Sequence, residues 1–159
     1  IGKGLNAAAA TTFSLAMIAS RLLGDRAFEK WGHVNTVKYG GYFGGGLWGI
    51  GLLIGIPLSD SHKTLGLIIV CIGFAAAGFG MGPFFPAFNL SAASIPGIAP
   101  SVGLARVGLI AIAAYFGGPT IIGLIAEVTS LPVAFAFPVL LYMVVGMQSK
   151  YIKVRELKQ

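Results

Sequence analysis

The segment that decides the fold is a charged stretch between two long apolar runs, Arg21-Leu22-Leu23-Gly24-Asp25-Arg26-Ala27-Phe28-Glu29-Lys30-Trp31-Gly32-His33-Val34-Asn35-Thr36-Val37-Lys38. It holds six of the sixteen Lys, Arg, Asp and Glu residues of the chain. The runs beside it, residues 4–20 and 39–59, carry no charge. A short charged segment between apolar runs marks where the chain meets water, so the flanking runs are predicted to lie in lipid.

Composition agrees with a lipid environment. The chain has 159 residues, of which 56% are hydrophobic and 10% are charged, whereas soluble domains carry about 25% charged residues. The net charge of +6 does not indicate nucleic-acid binding, because the basic residues lie at the ends of apolar runs and form no stripe interleaved with exposed aromatic residues. The expected partner is the lipid bilayer, and no nucleic acid is expected.

The lengths of the apolar runs predict an all-α integral membrane protein with a single transmembrane domain over residues 1–159. A helix needs about 20 apolar residues to cross the hydrocarbon core. The 42-residue uncharged run Thr64–Ala105 is long enough for two helical segments, and Pro96-Gly97-Ile98-Ala99-Pro100 breaks it. Five helices are expected at about residues 5–23, 37–58, 64–94, 101–128 and 132–152, followed by a cytoplasmic tail at 153–159.

Lys and Arg counts predict the orientation. Cytoplasmic loops carry an excess of these residues. If the loop Arg21–Lys38 is cytoplasmic, nine of the eleven basic residues fall on that side, leaving Lys3 and Lys63 outside. The chain terminus is then cytoplasmic.

Three prolines inside the predicted spans are expected to kink them, since proline removes a helical hydrogen bond. Pro83 and Pro86 lie in the third span, and Pro119 lies in the fourth. Two interpretations are open: the kinks line a cavity, or they are purely structural.

Gly24-Asp25-Arg26 followed by Gly32 resembles the signature loop of the major facilitator superfamily, which joins the second and third helices of each six-helix half. With Phe13-Ser14-Leu15-Ala16-Met17 before it, the loop is similar to the one between helices eight and nine. Pro86–Gly97 is similar to the tenth helix and following loop of bacterial permeases of the fucose-permease-like and YbjJ-like groups. Gly118–Glu127 is similar to their eleventh helix.

The resemblance implies that the chain is helices eight to twelve of a twelve-helix secondary transporter in the bacterial cytoplasmic (inner) membrane. The missing N-terminal half would be its partner, and the substrate would be a small polar organic solute such as a sugar. The start at Ile1 instead of Met agrees with a partial chain. The sequence departs from the family at His33-Val34-Asn35, where basic residues are expected, and at Ser20, where Gly is common.

The predicted gating residues are those of the signature loop and one cation of the fourth span: Gly24, Asp25, Arg26, Gly32 and Arg106. The resemblance implies that the Asp25 carboxylate holds the N-terminal end of the fourth predicted helix, an interaction of about 0.3–1 kcal/mol. Alternatively, the loop is solvated and sets topology only. Arg106 is the only charge between Thr64 and Ala126; it either snorkels to the surface or contacts Asp25 or an anionic substrate.

Candidate substrate contacts are the polar and aromatic residues near the predicted kinks and within the spans, namely Thr12, Phe84, Phe88, Asn89 and Tyr115. Packing is the alternative for the aromatic residues. No Asp, Glu or His lies in the middle of a predicted span, so any proton-coupling group is expected elsewhere.

The sequence contains no motif of an enzyme, and no metal or other cofactor is expected. His33 and His62 are far apart, and phosphate-binding loops, nucleophile elbows and HExxH patterns are absent. A second function remains open: a non-catalytic accessory subunit with a half-transporter fold, packed against other membrane subunits in a larger complex such as a respiratory assembly.

The topology predicts opposite labelling of two engineered cysteines. A cysteine replacing Ala27 reacts with a membrane-impermeant maleimide from the cytoplasmic side only, and one replacing Ser130 reacts from the outside only, because an odd number of crossings separates them. Labelling of both from the same side of intact cells would contradict this topology.

Overall fold

The structure, a computed structural model, describes residues 3–152, with side chains from residue 7 onward. All regular secondary structure in this range is helical. The predicted tail, residues 153–159, lies outside the described residues. The elements are α1 Lys3–Tyr39, a π-helical segment Gly40–Gly44, α2 Gly45–Ser61, α3 Lys63–Met81, α4 Phe84–Ala93, α5 Pro100–Val128, α6 Leu131–Ala134, α7 Ala136–Gln148 and a 3-10 turn Ser149–Tyr151.

The charged stretch Arg21–Lys38 is helical, which corrects the expectation of a loop between two helices. Its Leu, Ala, Arg, Glu and Lys residues are strong helix formers. Only Gly32 leaves the helical conformation, with φ 74° and ψ 161°. Residues with a Cβ rarely adopt this positive φ, whereas glycine adopts it readily. The break in α1 is therefore confined to one residue.

The chain reverses direction at Gly32. In the first arm of α1, residues 3–31, Phe13 packs against Gly78 and Ser20 packs against Gly82. Positions increase together in the two helices, so this arm runs parallel to α3.

The segment after Gly32 runs antiparallel to α3. Glycines meet along this contact in pairs whose positions increase in one helix and decrease in the other: Gly40 with Gly80, Gly51 with Gly73, and Gly55 with Gly66. A Cβ added at Gly66 would lie 2.6 Å from the carbonyl oxygen of Gly55. Such backbone contact is possible only because neither residue has a side chain.

A second row of glycines, in the π-helical segment and at the start of α2, faces α7. Gly41 lies against Gly146, and Gly45 lies against Tyr142, so α7 is also antiparallel to this segment. A Cβ added at Gly41 would lie 2.6 Å from the backbone nitrogen of Gly146. The π-helical segment Gly40–Gly44 contacts both α3 and α7. The small-residue pairs predicted from sequence therefore serve two different neighbours.

An aromatic cluster closes the space between α2, α3 and α7. The ring centroid of Trp48 lies 5.3 Å from that of Phe74, 6.0 Å from that of Phe135 and 5.7 Å from that of Tyr142. The Tyr142 hydroxyl donates a buried 3.0 Å hydrogen bond to the carbonyl oxygen of Ala77. This bond ties α7 to the centre of α3.

Four helical stretches in residues 3–152 are long and apolar enough to cross a membrane: Ala7–Ser61, Lys63–Ala93, Pro100–Val128 and Leu131–Tyr151. The sequence predicts five. The difference arises because the first two predicted helices join into one helical stretch of 55 residues, whose arms run in opposite directions on either side of Gly32.

Large apolar side chains cover the outside of this bundle. On α5, Gly103 is the only buried residue, while Leu109, Ile110 and Phe116 are about 70% exposed. Water would not tolerate apolar surface on this scale, whereas lipid covers it without cost. The chain is a multi-pass membrane protein.

The prolines act differently from one another. Helix α3 stops at Met81 and α4 begins at Phe84, so Pro83 lies at a true interruption. Pro86 lies in the first turn of α4, where no helical hydrogen bond is lost. Helix α5 continues past Pro119 without interruption, and the kink expected at Pro119 stays a prediction.

Charges separate to the two ends of the bundle. The directions of the helices bring the Gly32 turn, the 94–99 loop and the end of α7 to one end. Six basic residues belong to this end: Arg21, Arg26, Lys30, Lys38, Arg106 and Lys150. Asp60, Lys63 and Glu127 belong to the opposite end. We call these the basic end and the opposite end.

The close approach of α2 and α7 predicts a sharp difference between two Gly→Ala substitutions. Gly41→Ala forces the α2 and α7 backbones apart and is expected to lower the free energy of unfolding by about 1–3 kcal/mol. Gly123→Ala on α5 meets no atom within 4 Å and is expected to be neutral or stabilising by up to about 1 kcal/mol. Thermal unfolding in detergent measures both; equal losses would contradict the interpretation of Gly41.

Candidate functional site

The predicted signature-loop residues lie on the first arm of α1 and at its turn. Gly24 is buried by its own helix, and Asp25 and Arg26 are exposed. Gly32 forms the turn, with the positive φ described above. The loop is therefore a helical extension of the bundle that folds back on itself at the basic end.

Two contacts that the sequence does not reveal stabilise this turn. The buried Thr36 hydroxyl lies 2.8 Å from the carbonyl oxygen of Gly32 and 3.1 Å from that of Ala27. The rings of Phe28 and His33 stack at 4.4 Å with an interplanar angle of 16°. His33 stands where the resembled family carries a basic residue, and here its ring packs across the turn.

The predicted contact between Asp25 and the start of α5 is absent from this arrangement. Within residues 3–152, the Asp25 side chain makes no hydrogen bond or ion pair, and neither does Arg106. Both are exposed. Helix α5 begins with Pro100 in its first turn, and no side chain caps its N-terminus. The carboxylate and the uncapped amides thus belong to the same end of the bundle without meeting.

The five predicted substrate residues lie in different surroundings, although the rings of Phe84 and Phe88 lie 6.0 Å apart. Phe84 is 6% exposed, and its ring lies 5.6 Å from that of Tyr142, so it extends the aromatic core. Tyr115 is 78% exposed on α5. The Thr12 hydroxyl donates to the carbonyl oxygen of Ala8 in its own helix. Phe88 and Asn89 are half-buried on α4.

A cavity of about 440 Å³ lies beside one of these residues. Phe88 lines it together with the start of α5 and the C-terminal end of α7, at the basic end. Ser149 also lines it, with its hydroxyl directed back to the carbonyl oxygen of Gly146 at 2.8 Å. The lining is largely apolar, and none of the other predicted substrate residues borders it.

A second cavity, with a volume of about 1000 Å³, lies elsewhere. It is a groove between the two arms of α1 and the start of α2, with α3 as its floor, and we call it the α1–α2 groove. Of the predicted site and kink residues, only Arg26 and Pro83 line it. The missed signal was the helical spacing of four uncharged residues, Ala16, Ser20, Leu23 and Ala27, which marks one face of α1.

The structure separates packing from ligand contact for two aromatic candidates. Phe84→Ala empties a core position and is expected to lower the free energy of unfolding by about 3–5 kcal/mol. Tyr115→Ala, on an exposed surface, is expected to change it by less than about 0.5 kcal/mol. Unfolding in detergent measures both changes. A stable Phe84→Ala variant would show that the ring is not part of the core.

Comparisons with known proteins find relatives named as membrane and transport proteins. An uncharacterized MFS-type transporter from Yersinia pestis is 30% identical over 141 residues, which are 88% of this chain and 34% of the relative. An uncharacterized transporter from Sinorhizobium fredii is 30% identical over 77% of this chain and 30% of its own length. The membrane protein MosC of Rhizobium meliloti is 30% identical over 87% of this chain and 32% of its own length.

No protein-family model matches the chain, and no solved structure matches it significantly. The chain spans about a third of the length of the curated relatives it matches. The similarity nevertheless covers 77–88% of this chain. The fold and the comparisons together show that the chain is a multi-pass membrane protein with MFS-type transporter relatives.

Proposed function

We propose that the chain is part of a secondary active transporter of the major facilitator superfamily, corresponding to helices eight to twelve in its C-terminal half. The observation that carries the proposal is the 30% identity over 88% of the chain to an MFS-type transporter. Along the sequence, the signature loop is followed by the interrupted third span and then by the fourth span. This order supports the assignment to helices eight to twelve.

In this proposal the chain crosses the bilayer five times. The two arms on either side of Gly32 are separate crossings, because they run in opposite directions and a stretch of 55 residues is far longer than the roughly 20 residues that one crossing needs. The excess of basic residues at one end supports a cytoplasmic location for the Gly32 turn and the C-terminus. The membrane is the bacterial inner membrane.

Helix α5 is the element that most needs a further neighbour. It packs on α4 at its start and on α6 at its end, and only Gly103 is buried along its 29 residues. A missing N-terminal half would pack beside such a helix and complete a cavity between the halves. Alternating access then requires the two halves to move about a central solute site.

The signature loop is proposed to act as a gate at the cytoplasmic face. Asp25 has no partner among the described residues, and the N-terminus of α5 has no side-chain cap. A carboxylate gains about 0.3–1 kcal/mol at a helix N-terminus. We propose that the two meet when the cytoplasmic side closes, and that Arg106 adds an ion pair to Asp25.

The proposed solute is a small polar organic molecule such as a sugar, as in the fucose-permease-like and YbjJ-like permeases that the sequence resembles. Uptake by the full-length protein in proteoliposomes tests this proposal. Accumulation or counterflow of a sugar from a panel of neutral solutes would support it. If the protein is folded and the vesicles are sealed, but no solute of the panel is taken up or exchanged, the sugar assignment is contradicted.

The gating role predicts that Asp25→Asn alters transport by the full-length protein. The substitution removes the charge that would bind the helix end, so the outward-open state loses about 0.3–1 kcal/mol, a two- to fivefold shift in the inward/outward equilibrium. Glu29→Gln is the matched control, since Glu29 lies one turn further along the same arm and is also exposed. Unchanged transport and unchanged equilibrium in Asp25→Asn would remove the gating role.

An accessory subunit is the second candidate, and the largely unpacked α5 supports it as well. In that case, the exposed faces of α5 would dock on other membrane subunits, in an assembly such as a respiratory complex. Purification of the native protein in mild detergent separates the two candidates. Stoichiometric copurification with an enzyme complex favours the accessory role, whereas a single longer polypeptide that exchanges solute favours transport.

A further inference from the structure

We propose that the α1–α2 groove is a binding site for one anionic phospholipid of the leaflet at the basic end. The groove has a volume of about 1000 Å³ and is bounded by three helical segments. This site is independent of the solute that the protein transports. Its length, its lining and its charge each point to the same occupant.

The length of the groove matches one leaflet. Along the second arm and α2, the nearest charges are Lys38 and Asp60, so the hydrocarbon lies between them. Leu47, at the deep end of the groove, is nine residues or about 14 Å from Lys38. Ile72, on the groove floor, is about 14 Å from Lys63 by the same measure. Half of a hydrocarbon core is about 15 Å, so the groove extends from the surface to the bilayer centre.

The deep part of the groove has no charged residue in its lining. Small residues of α1 and α3 form much of it, including Ala16, Ala75 and Ala76, with Phe43 and Leu47 on the α2 side. Small side chains on these walls leave room for an acyl chain between the first arm of α1 and α2. Its walls offer no charge that would attract a soluble anion to this depth.

The mouth of the groove carries two cations on one face of α1. Arg26 and Lys30 both line it, and they are four residues apart, which places them on the same side of a helix. The acidic pair Asp25 and Glu29 has the same spacing but does not line the groove. Neither cation makes an ion pair within residues 3–152, so both charges are available to a ligand.

Aromatic residues surround these cations at the depth expected for lipid headgroups. Trp31 and Tyr39 line the mouth, with ring centroids 6.5 Å apart. The Lys30 ammonium lies 5.6 Å from the centroid of the Trp31 ring. Tyr and Trp are enriched where hydrocarbon meets headgroups, and basic clusters between spanning helices on the cytoplasmic side bind anionic headgroups.

A photoactivatable phosphatidylglycerol with a diazirine on its acyl chain tests this site in the full-length protein. The protein is reconstituted in phosphatidylcholine vesicles with a low fraction of the probe, irradiated, and digested for mass spectrometry. We expect labelled peptides around Leu47 and Ile72. A phosphatidylcholine carrying the same diazirine is expected to label them several-fold less, because its headgroup has no net charge.

Charge variants separate the groove from general attraction to the basic end. The double variant Arg26→Gln, Lys30→Gln is expected to lose about fivefold in labelling for each charge removed. The matched control is Arg21→Gln, Lys38→Gln, which removes the same charge at the same end from residues outside the groove lining; it should label as the unmodified protein does. Unlabelled phosphatidylglycerol should compete, and inorganic phosphate should not.

Four results would overturn the proposal. Equal labelling by the two probes would show a groove without headgroup preference. Equal losses in the two double variants would show that only the overall surface charge acts. Ready competition by inorganic phosphate would show that a soluble anion occupies the groove. Groove residues covered by another segment of the full-length protein would show that this segment occupies it.

Discussion

The contact on which the rest of the structure depends is the backbone-to-backbone approach of α2 to its two neighbours. Lipid is as apolar as a leucine side chain, so helices in a membrane gain little from burying large hydrophobic residues and rely on close packing. Helix α2 and the π-helical segment before it achieve this twice, with one row of glycines against α3 and another against α7. A helix with glycines on two faces can be the centre of a bundle, and here it is.

The other features follow from this central packing. With α3 and α7 held against α2, the Trp48, Phe74 and Tyr142 rings meet in the space between them, and the Tyr142 hydroxyl reaches the carbonyl oxygen of Ala77. The first arm of α1 then packs on the remaining side of α3, and the gap between that arm and α2 becomes the α1–α2 groove. Helix α5 takes no part in the glycine contacts of α2 and packs on α4 and α6 near its ends.

The proposed gate, the proposed lipid site and most of the charged residues lie at the basic end. The Gly32 turn, the start of α5 and the mouth of the groove all belong to it, and they share a small set of charged residues. Asp25 and Glu29 point away from the groove face, while Arg26 and Lys30 line it. One helical arm therefore presents an acidic face that is free to bind a helix end and a basic face that is suited to lipid headgroups. A change of position of this arm would alter both surfaces together.

Much of this arrangement was predictable from residue type alone, and the exceptions have identifiable causes. The helical stretches Lys63–Ala93, Pro100–Val128 and Leu131–Tyr151 begin and end close to three of the predicted helices, because their apolar character is a local property of the sequence. The charged stretch was expected to be a loop, yet its residues favour helix and a single glycine suffices for the reversal. Phe84 was a candidate for substrate contact with packing as the alternative, and its ring lies in the aromatic core. The groove was missed, since its walls come from segments up to about 60 residues apart in sequence.

By itself, the sequence determined that the chain is helical, which segments are apolar enough to cross a membrane, and which segments carry the basic residues. These properties depend on the transfer of each residue between water and hydrocarbon, which is a local quantity. Only the tertiary structure decided that Gly41 faces α7 while Gly51 faces α3, and that Asp25 and the start of α5 stay apart. It also decided that Arg26 and Lys30 stand at the mouth of a groove one leaflet deep. Those properties depend on which helix faces approach one another, and no local pattern of residues specifies the partner of a face.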